Sequence, residues 1–427
     1  MISPGKLIHV LKSNVIFRNL VSMSVIHGLG MVLPLITYPY LIKVIGIGNF
    51  GKIGFLISSI IFAGFLIDFG YAYIAPKEVA TNRNNEKSLS EVFSNIIISK
   101  FILLIICCLL AIVSTAFIDK YDIRMILLGL VYLVGLASTP NWFFQGIEKM
   151  HWITIFDGLS KIIATILVFV LIKKQSDSVL YLPILGVGSI LCNLLGYIYI
   201  FSNYNIRISI SKFHVLLNGY KNGLPIFVGL FSTYLIANSS MILLGILSTP
   251  YLLGLFAIAD KIGRIPWIFS NLMSTVIYPS VCRDATLGLN HIWIILRKYI
   301  GILLLFTVVL VLLGYYFAIP IIHIFYKSNT EEILPVYLAL LINTFFITLI
   351  IPFTLILLAY SRNRIYMRIN VFISLFQFGV SYYFIKYYGI FGAGISTLIA
   401  YCTLLVIMIF VYFAEKSKGN LQTVISS

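Results

Sequence analysis

The sequence predicts an all-α integral membrane protein of about twelve transmembrane helices, arranged in two six-helix halves. Hydrophobic residues make up 60% of the 427 residues and charged residues only 10%, whereas a soluble protein has about a quarter of its residues charged. Apolar runs of about twenty residues recur along the chain, and each is long enough to cross a hydrocarbon core of about 30 Å. The uneven placement of the basic residues then predicts the orientation of the chain.

Continuous apolar runs predict helices, because the strands of a transmembrane barrel alternate between polar and apolar side chains. The first run follows Lys6, Lys12 and Arg18 and is too long for the apolar core of a signal peptide, so we expect it to be retained. The predicted spans are 16–42, 50–74, 92–118, 123–145, 152–172, 180–201, 222–247, 252–281, 293–318, 333–359, 366–385 and 390–413.

Basic residues concentrate in every second connection. With the N-terminus placed inside, the inner segments carry 18 of the 30 Lys and Arg residues, the outer turns carry 8, and the spans carry 4. This asymmetry predicts that both ends of the chain lie in the cytoplasm. The net charge of +16 is therefore interpreted as a topology signal and an attraction to anionic headgroups, and it does not indicate nucleic-acid binding.

A weak internal repeat divides the chain near its midpoint. Gly51 corresponds to Gly254, and Gly186 corresponds to Gly392, at nearly equal sequence offsets. Because the longest inner connection, 202–221, also lies at the midpoint, we expect two halves, 1–210 and 211–427. Duplicated six-helix halves are typical of secondary transporters.

Ionisable residues inside the spans are the main candidates for function, because burying each charge costs at least about 2.5–3.5 kcal/mol. Asp157 with Lys161, and Asp260 with Arg264, have the four-residue spacing of intrahelical ion pairs. Two explanations stay open. In one, each pair neutralises itself and forms a purely structural polar strip on its helix; in the other, the charges line a water-filled cavity that binds an anionic group.

Asp68 has no local partner, and we expect a cation from a neighbouring span beside it, such as Lys100 or Lys161. The full set is Asp68, Lys100, Asp157, Lys161, Asp260, Lys261 and Arg264.

Signals of enzyme chemistry are not found in the sequence. It contains no zinc-protease helix motif, no nucleophile elbow and no phosphate-binding loop, and its five cysteines lack metal-ligand spacing. We therefore predict no catalytic residue, no cofactor and no metal site.

Several motifs resemble the polysaccharide transporter family, which includes the Wzx-type O-antigen flippases. The most specific is the segment from Asn141 to Met150, which reads NWFFQGIEKM. Asp68-Phe69-Gly70-Tyr71, Lys100, Lys161, and Asp260-Lys261 with Arg264 are similar to further family motifs. The family carries glutamate more often than aspartate at the position of Asp260. The resemblance is therefore weaker at Asp260 than at the other residues of these motifs.

The resemblance implies a multi-pass protein of the bacterial inner membrane that moves an undecaprenyl-diphosphate-linked oligosaccharide, such as an O-antigen unit of lipopolysaccharide, to the periplasmic leaflet. Further implied partners are a coupling ion, either proton or sodium, and the polysaccharide polymerase with its chain-length machinery. We expect Lys100, Lys161, Lys261 and Arg264 to bind the substrate and Asp68, Asp157 and Asp260 to couple the ion.

Three other functions stay open. A drug antiporter or a lipid II exporter would share the fold, although a cationic drug would favour acids over the cations found here. A membrane-embedded polymerase or ligase would need a large outer loop, and the longest predicted outer turn has about nine residues.

Overall fold

The computed structural model describes residues 15–116, 121–209, 213–285, 288–418 and 421. Within these residues every regular element is a helix, which confirms the all-α class. The α-helices are α1 Val15–Ile45, α2 Ile47–Asp68, α3 Tyr71–Asn82, α4 Glu86–Ser114, α5 Ile123–Ala137, α6 Asn141–Gly146, α7 Met150–Leu171, α8 Tyr181–Tyr204, α9 Phe213–Leu247, α10 Pro250–Gly263, α11 Ile265–Ala285, α12 Leu289–Tyr316, α13 Ala318–Phe325, α14 Thr330–Ala359 and α15 Asn363–Ser417.

In the described residues, ten helical stretches are long and apolar enough to cross a membrane, so the count of twelve stays a prediction. Predicted span 8 is divided into α10 and α11, with 14 and 21 residues. Predicted spans 11 and 12 form the single element α15, which contains a non-helical residue at Gly389. The end of predicted span 3 at 117–118 and the predicted boundary between the halves at 210–211 lie outside the described residues.

The second predicted span ends earlier than expected, because the chain breaks after Asp68. Phe69 and Gly70 both have left-handed backbone conformations, with φ of 43° and 86°. Gly70 is required for two reasons: its φ is positive, and a Cβ atom would lie 2.9 Å from the carbonyl oxygen of Gly223. The short helix α3 then runs on from this break.

The helices divide into two compact units by their contacts. The N-terminal unit comprises Met1–Gly46 with Leu56–Phe231, and the C-terminal unit comprises Ile47–Phe55 with Ser232–Ser427. Helices α2 and α9 each contribute residues to both units. The predicted halves, 1–210 and 211–427, stay a prediction.

The N-terminal unit is built around α8, which packs against α5 and α7, while α7 also packs against α1. Helices α5 and α8 approach closely at Gly186, where a Cβ atom would lie 2.5 Å from the backbone of Val131 and Tyr132. Small residues of this kind stabilise membrane helix pairs because they allow close backbone packing. Helix α3 packs against α4 and α6 beside a buried aromatic cluster that includes Phe93 and Phe143.

The C-terminal unit is built around α14, which packs against α10, α11, α12, α13 and α15. At the start of α2, a Cβ atom on Gly51 would lie 2.5 Å from the backbone nitrogen of Gly254 on α10. These two glycines correspond in the sequence repeat, so equivalent positions touch each other. Helices α9 and α15 are joined by buried hydroxyls, because Ser240 Oγ lies 3.3 Å from Ser381 Oγ and 3.4 Å from Ser396 Oγ.

Candidate functional site

Asp68, the last residue of α2, pairs with Lys100 on α4. Lys100 Nζ donates a hydrogen bond to Asp68 Oδ1 at 3.4 Å, and the Lys100 side chain is only 7% exposed. The other carboxylate oxygen, Asp68 Oδ2, accepts a hydrogen bond from the backbone nitrogen of Ala72 at 2.9 Å. Of the two partners that the sequence suggested, Lys100 is therefore the one that the fold supplies.

The predicted pair on α7 is confirmed. Lys161 Nζ donates to Asp157 Oδ2 at 2.7 Å, and both side chains are about one third exposed. The Lys161 amine also lies beside Gly30 of α1, 3.2 Å from the place where a Cβ atom would stand. Because Gly30 has no side chain, α1 leaves room for this amine.

The predicted pair between Asp260 and Arg264 is also confirmed. Arg264 Nε donates to Asp260 Oδ1, and Arg264 Nη2 donates to the carbonyl oxygen of Ala237 on α9. The Asp260 side chain is 5% exposed and that of Arg264 is 22% exposed. Two helices thus hold the guanidinium in one orientation deep in the C-terminal unit.

Lys261 differs from the other three cations. It lies in the last turn of α10, is partly buried, and forms no ion pair with any acid in the described part of the chain. Lys100, Lys161 and Arg264 are each neutralised by one acid, so the surplus positive charge of the seven-residue set resides on Lys261. Within the described residues, no group of three or more His, Cys, Asp or Glu side chains could hold a metal ion.

The segment from Asn141 to Met150 is explained by packing. A Cβ atom on Gly146 would lie 2.6 Å from Val79 Cβ, which brings α6 close to α3. Lys149 Nζ donates to the hydroxyl of Tyr199 at 3.3 Å. These contacts hold α6 against α3 and the start of α7 against α8, so the segment stabilises the N-terminal unit.

Polar side chains that the sequence analysis did not single out border two adjoining cavities in the C-terminal unit. The larger has a volume of about 180 Å³ and the smaller about 20 Å³, and Trp267 and Tyr401 line both. Arg264 and Asn343 line the smaller one. The sequence does carry a signal for Asn343, because its carboxamide lies inside the predicted apolar span 333–359. Polar groups inside membranes are costly and tend to be functional.

A family model described as polysaccharide biosynthesis protein matches residues 16–283. A protein named "Putative O-antigen transporter" from Escherichia coli (strain K12) is 26% identical over 278 residues, which are 64% of this chain and 66% of that protein. A protein of the same name from Shigella dysenteriae is 24% identical over 246 residues, 57% of this chain and 62% of that protein. The chain thus spans slightly less than two thirds of the length of these relatives.

Solved structures with low sequence identity share the fold. An inward-facing MATE family multidrug resistance transporter of the MOP superfamily has a TM-score of 0.73 and 14% identity, covering 93% of this chain and 99% of that one. The lipid II flippase MurJ, in an inward closed conformation, has a TM-score of 0.73 and 16% identity, covering 92% and 86%. An outward-facing MATE transporter has a TM-score of 0.62 and 13% identity, covering 96% of each chain.

Proposed function

This chain belongs to the polysaccharide biosynthesis protein family, and from that premise we propose that it is a flippase for lipid-linked oligosaccharides. The proposed substrate is an undecaprenyl-diphosphate-linked repeat unit of O-antigen or a related surface polysaccharide. It moves from the cytoplasmic to the periplasmic leaflet of the bacterial inner membrane, by alternation of the protein between inward-open and outward-open forms. The ten apolar helical stretches found in the described residues and the names of the two relatives support this proposal.

The observation that carries the proposal is the fixed guanidinium of Arg264, which follows the unpaired Lys261 by three residues at the end of α10. A diphosphate is an anion with several acceptor oxygens, and a guanidinium can bind two of them through parallel hydrogen bonds. Lys261 adds a second positive charge three residues away on the same helical face. Lys100 and Lys161, in the N-terminal unit, are also proposed to bind substrate.

The acids beside these cations supply a way to couple an ion. When a diphosphate engages Lys100, Lys161 or Arg264, it competes with the carboxylate that neutralises the same cation. A carboxylate that loses its cation binds a proton or sodium ion more readily. Asp68, Asp157 and Asp260 are therefore the proposed coupling residues. Ion binding and substrate binding both favour the broken state of each pair, so each promotes the other.

The test is the double substitution Lys261→Ala/Arg264→Ala in a bacterial strain that lacks its own flippase. We expect surface polysaccharide to fall to the background level of that strain, because the diphosphate loses the two cations proposed to bind it in the C-terminal unit. The readout is surface polysaccharide at matched protein levels. The matched control is Arg297→Ala/Lys298→Ala, which removes two exposed cations from α12 and should leave export near wild type. Full export by the Lys261/Arg264 variant would refute the proposal.

A further inference from the structure

The larger cavity of the C-terminal unit is polar without being charged. It is bounded by α9, α11, α14 and α15, and none of its lining residues is ionisable in the physiological range. Its lining instead includes two carboxamides, Asn271 and Asn370, and three aromatic rings, Trp267, Tyr366 and Tyr401. Such a lining disfavours a free ion and suits a neutral ligand with both polar and apolar faces.

A sugar ring has these properties. Its C–H faces are apolar and pack against aromatic rings, while its hydroxyl edge both donates and accepts hydrogen bonds. Carboxamides match that edge, because each offers an acceptor oxygen and two donor hydrogens. The volume of about 180 Å³ is below the roughly 300–1,000 Å³ of pockets for drug-sized ligands, so it fits one ring and not a chain of them.

Asn343 provides a second, independent indication that a ligand binds in this region. Its side chain is only 5% exposed, and its Oδ1 atom has no hydrogen-bond partner in the described structure. A buried acceptor without a donor is costly, and such groups usually have a partner. Asn343 lines the smaller cavity together with Arg264, so a hydroxyl donor placed there would satisfy Oδ1 within reach of the guanidinium.

We propose that the two adjoining cavities are the subsite for the sugar attached to the diphosphate, with Asn343 accepting from a ring hydroxyl and Trp267 packing on the ring. The proposal rests on the proposed flippase function, and it assigns the choice of first sugar to these residues. Arg264 lies at the junction between the sugar and the phosphate groups. Specificity for the sugar and affinity for the lipid diphosphate therefore depend on different side chains.

The test compares Asn343→Leu with wild type in binding to three lipids: bare undecaprenyl diphosphate, and the same lipid carrying one N-acetylglucosamine or one galactose. The full-length purified protein is held in lipid nanodiscs. Wild type should bind one of the sugar-bearing lipids at least about fivefold more tightly than the bare lipid, roughly the effect of one hydrogen bond. Asn343→Leu should lose that preference, keep its affinity for the bare lipid, and melt at the same or a higher temperature, because an unsatisfied polar atom is removed.

The matched control is Asn193→Leu. Asn193 is also buried in a membrane helix, but its Nδ2 donates to the carbonyl oxygen of Gly135 at 2.9 Å and to Ser138 Oγ at 3.1 Å. This variant should melt at a lower temperature and keep the sugar preference. A wild type without preference for either sugar, or an Asn343→Leu variant that keeps it, overturns the subsite while leaving the flippase function intact. A wild type that binds none of the three lipids overturns the flippase function and the subsite with it.

Discussion

At the scale of single residues, Asp68 uses its two carboxylate oxygens for different contacts. One oxygen pairs with Lys100, and the other accepts from the backbone nitrogen of Ala72 in the first turn of α3. It therefore braces the break after α2 and neutralises a buried amine at the same time. Loss of the charge alone would leave Lys100 buried without its counter-ion, so a single substitution cannot separate a structural role from an ion-coupling role.

A pair of variants separates the two roles. Asp68→Asn should lower stability by up to about 3–5 kcal/mol, the cost of an uncompensated buried charge. Asp68→Asn/Lys100→Met removes both charges and should recover protein level and melting temperature. If Asp68 couples the ion, the double variant still fails to export lipid-linked sugar, as measured at the outer leaflet. Wild-type export by the double variant would show that the pair is only structural.

Arg264 permits a finer test of how the phosphate is held. Arg264→Lys keeps the charge, but a lysine cannot reproduce the two hydrogen bonds to Asp260 and Ala237 and also face a ligand. We expect export to fall about tenfold or more at unchanged protein level, measured as initial rate. The control is the reverse type of substitution, Lys261→Arg. It should leave export near wild type, because Lys261 acts as a point charge. Near-normal export by Arg264→Lys would mean that bidentate contacts are not needed.

At the scale of elements, the turn at Phe69 and Gly70 fixes where α2 stops. Phe69 stacks on Phe227 of α9, with ring centroids 4.7 Å apart, and Gly70 lies against the backbone of Gly223. The turn is therefore held by a close helix contact as well as by Asp68.

Gly70→Ala should lower the free energy of unfolding by about 1–3 kcal/mol, because it adds strain at a positive φ and a Cβ atom that collides with the Gly223 carbonyl. The melting temperature in detergent is the readout. Gly48→Ala is the control: Gly48 is helical with open space around it, so alanine should be neutral or slightly stabilising there. Equal melting temperatures for the two variants would mean that the turn relaxes at no cost.

Helix α15 has 55 residues, which at 1.5 Å per residue would be about 80 Å long, far more than a hydrocarbon core of about 30 Å. The break at Gly389, with φ of 58° and ψ of −134°, lies between the predicted spans 366–385 and 390–413. Two spans with a turn at Gly389 therefore remain the prediction for this element.

At the scale of the whole molecule, the orientation remains a prediction from the distribution of charges. A reporter active only outside the cytoplasm should be active when fused after Lys174 or Lys327, and silent when fused at the C-terminus, since the inner segments carry 18 cations and the outer turns 8. Reporter activity normalised to protein level is the measurement. The reverse pattern would overturn the N-in, C-in orientation.

The sequence by itself determined the all-α membrane class, the family resemblance and two ion pairs. Each of these depends on residues near one another in the chain: apolar runs set by bilayer thickness, and acids four residues before their cations. Only the tertiary structure decided that Lys100 is the partner of Asp68, that Ala237 orients Arg264, and that Asn343 adjoins the guanidinium. Those contacts join residues that are far apart in sequence, and local pattern carries no information about which distant helices pack together.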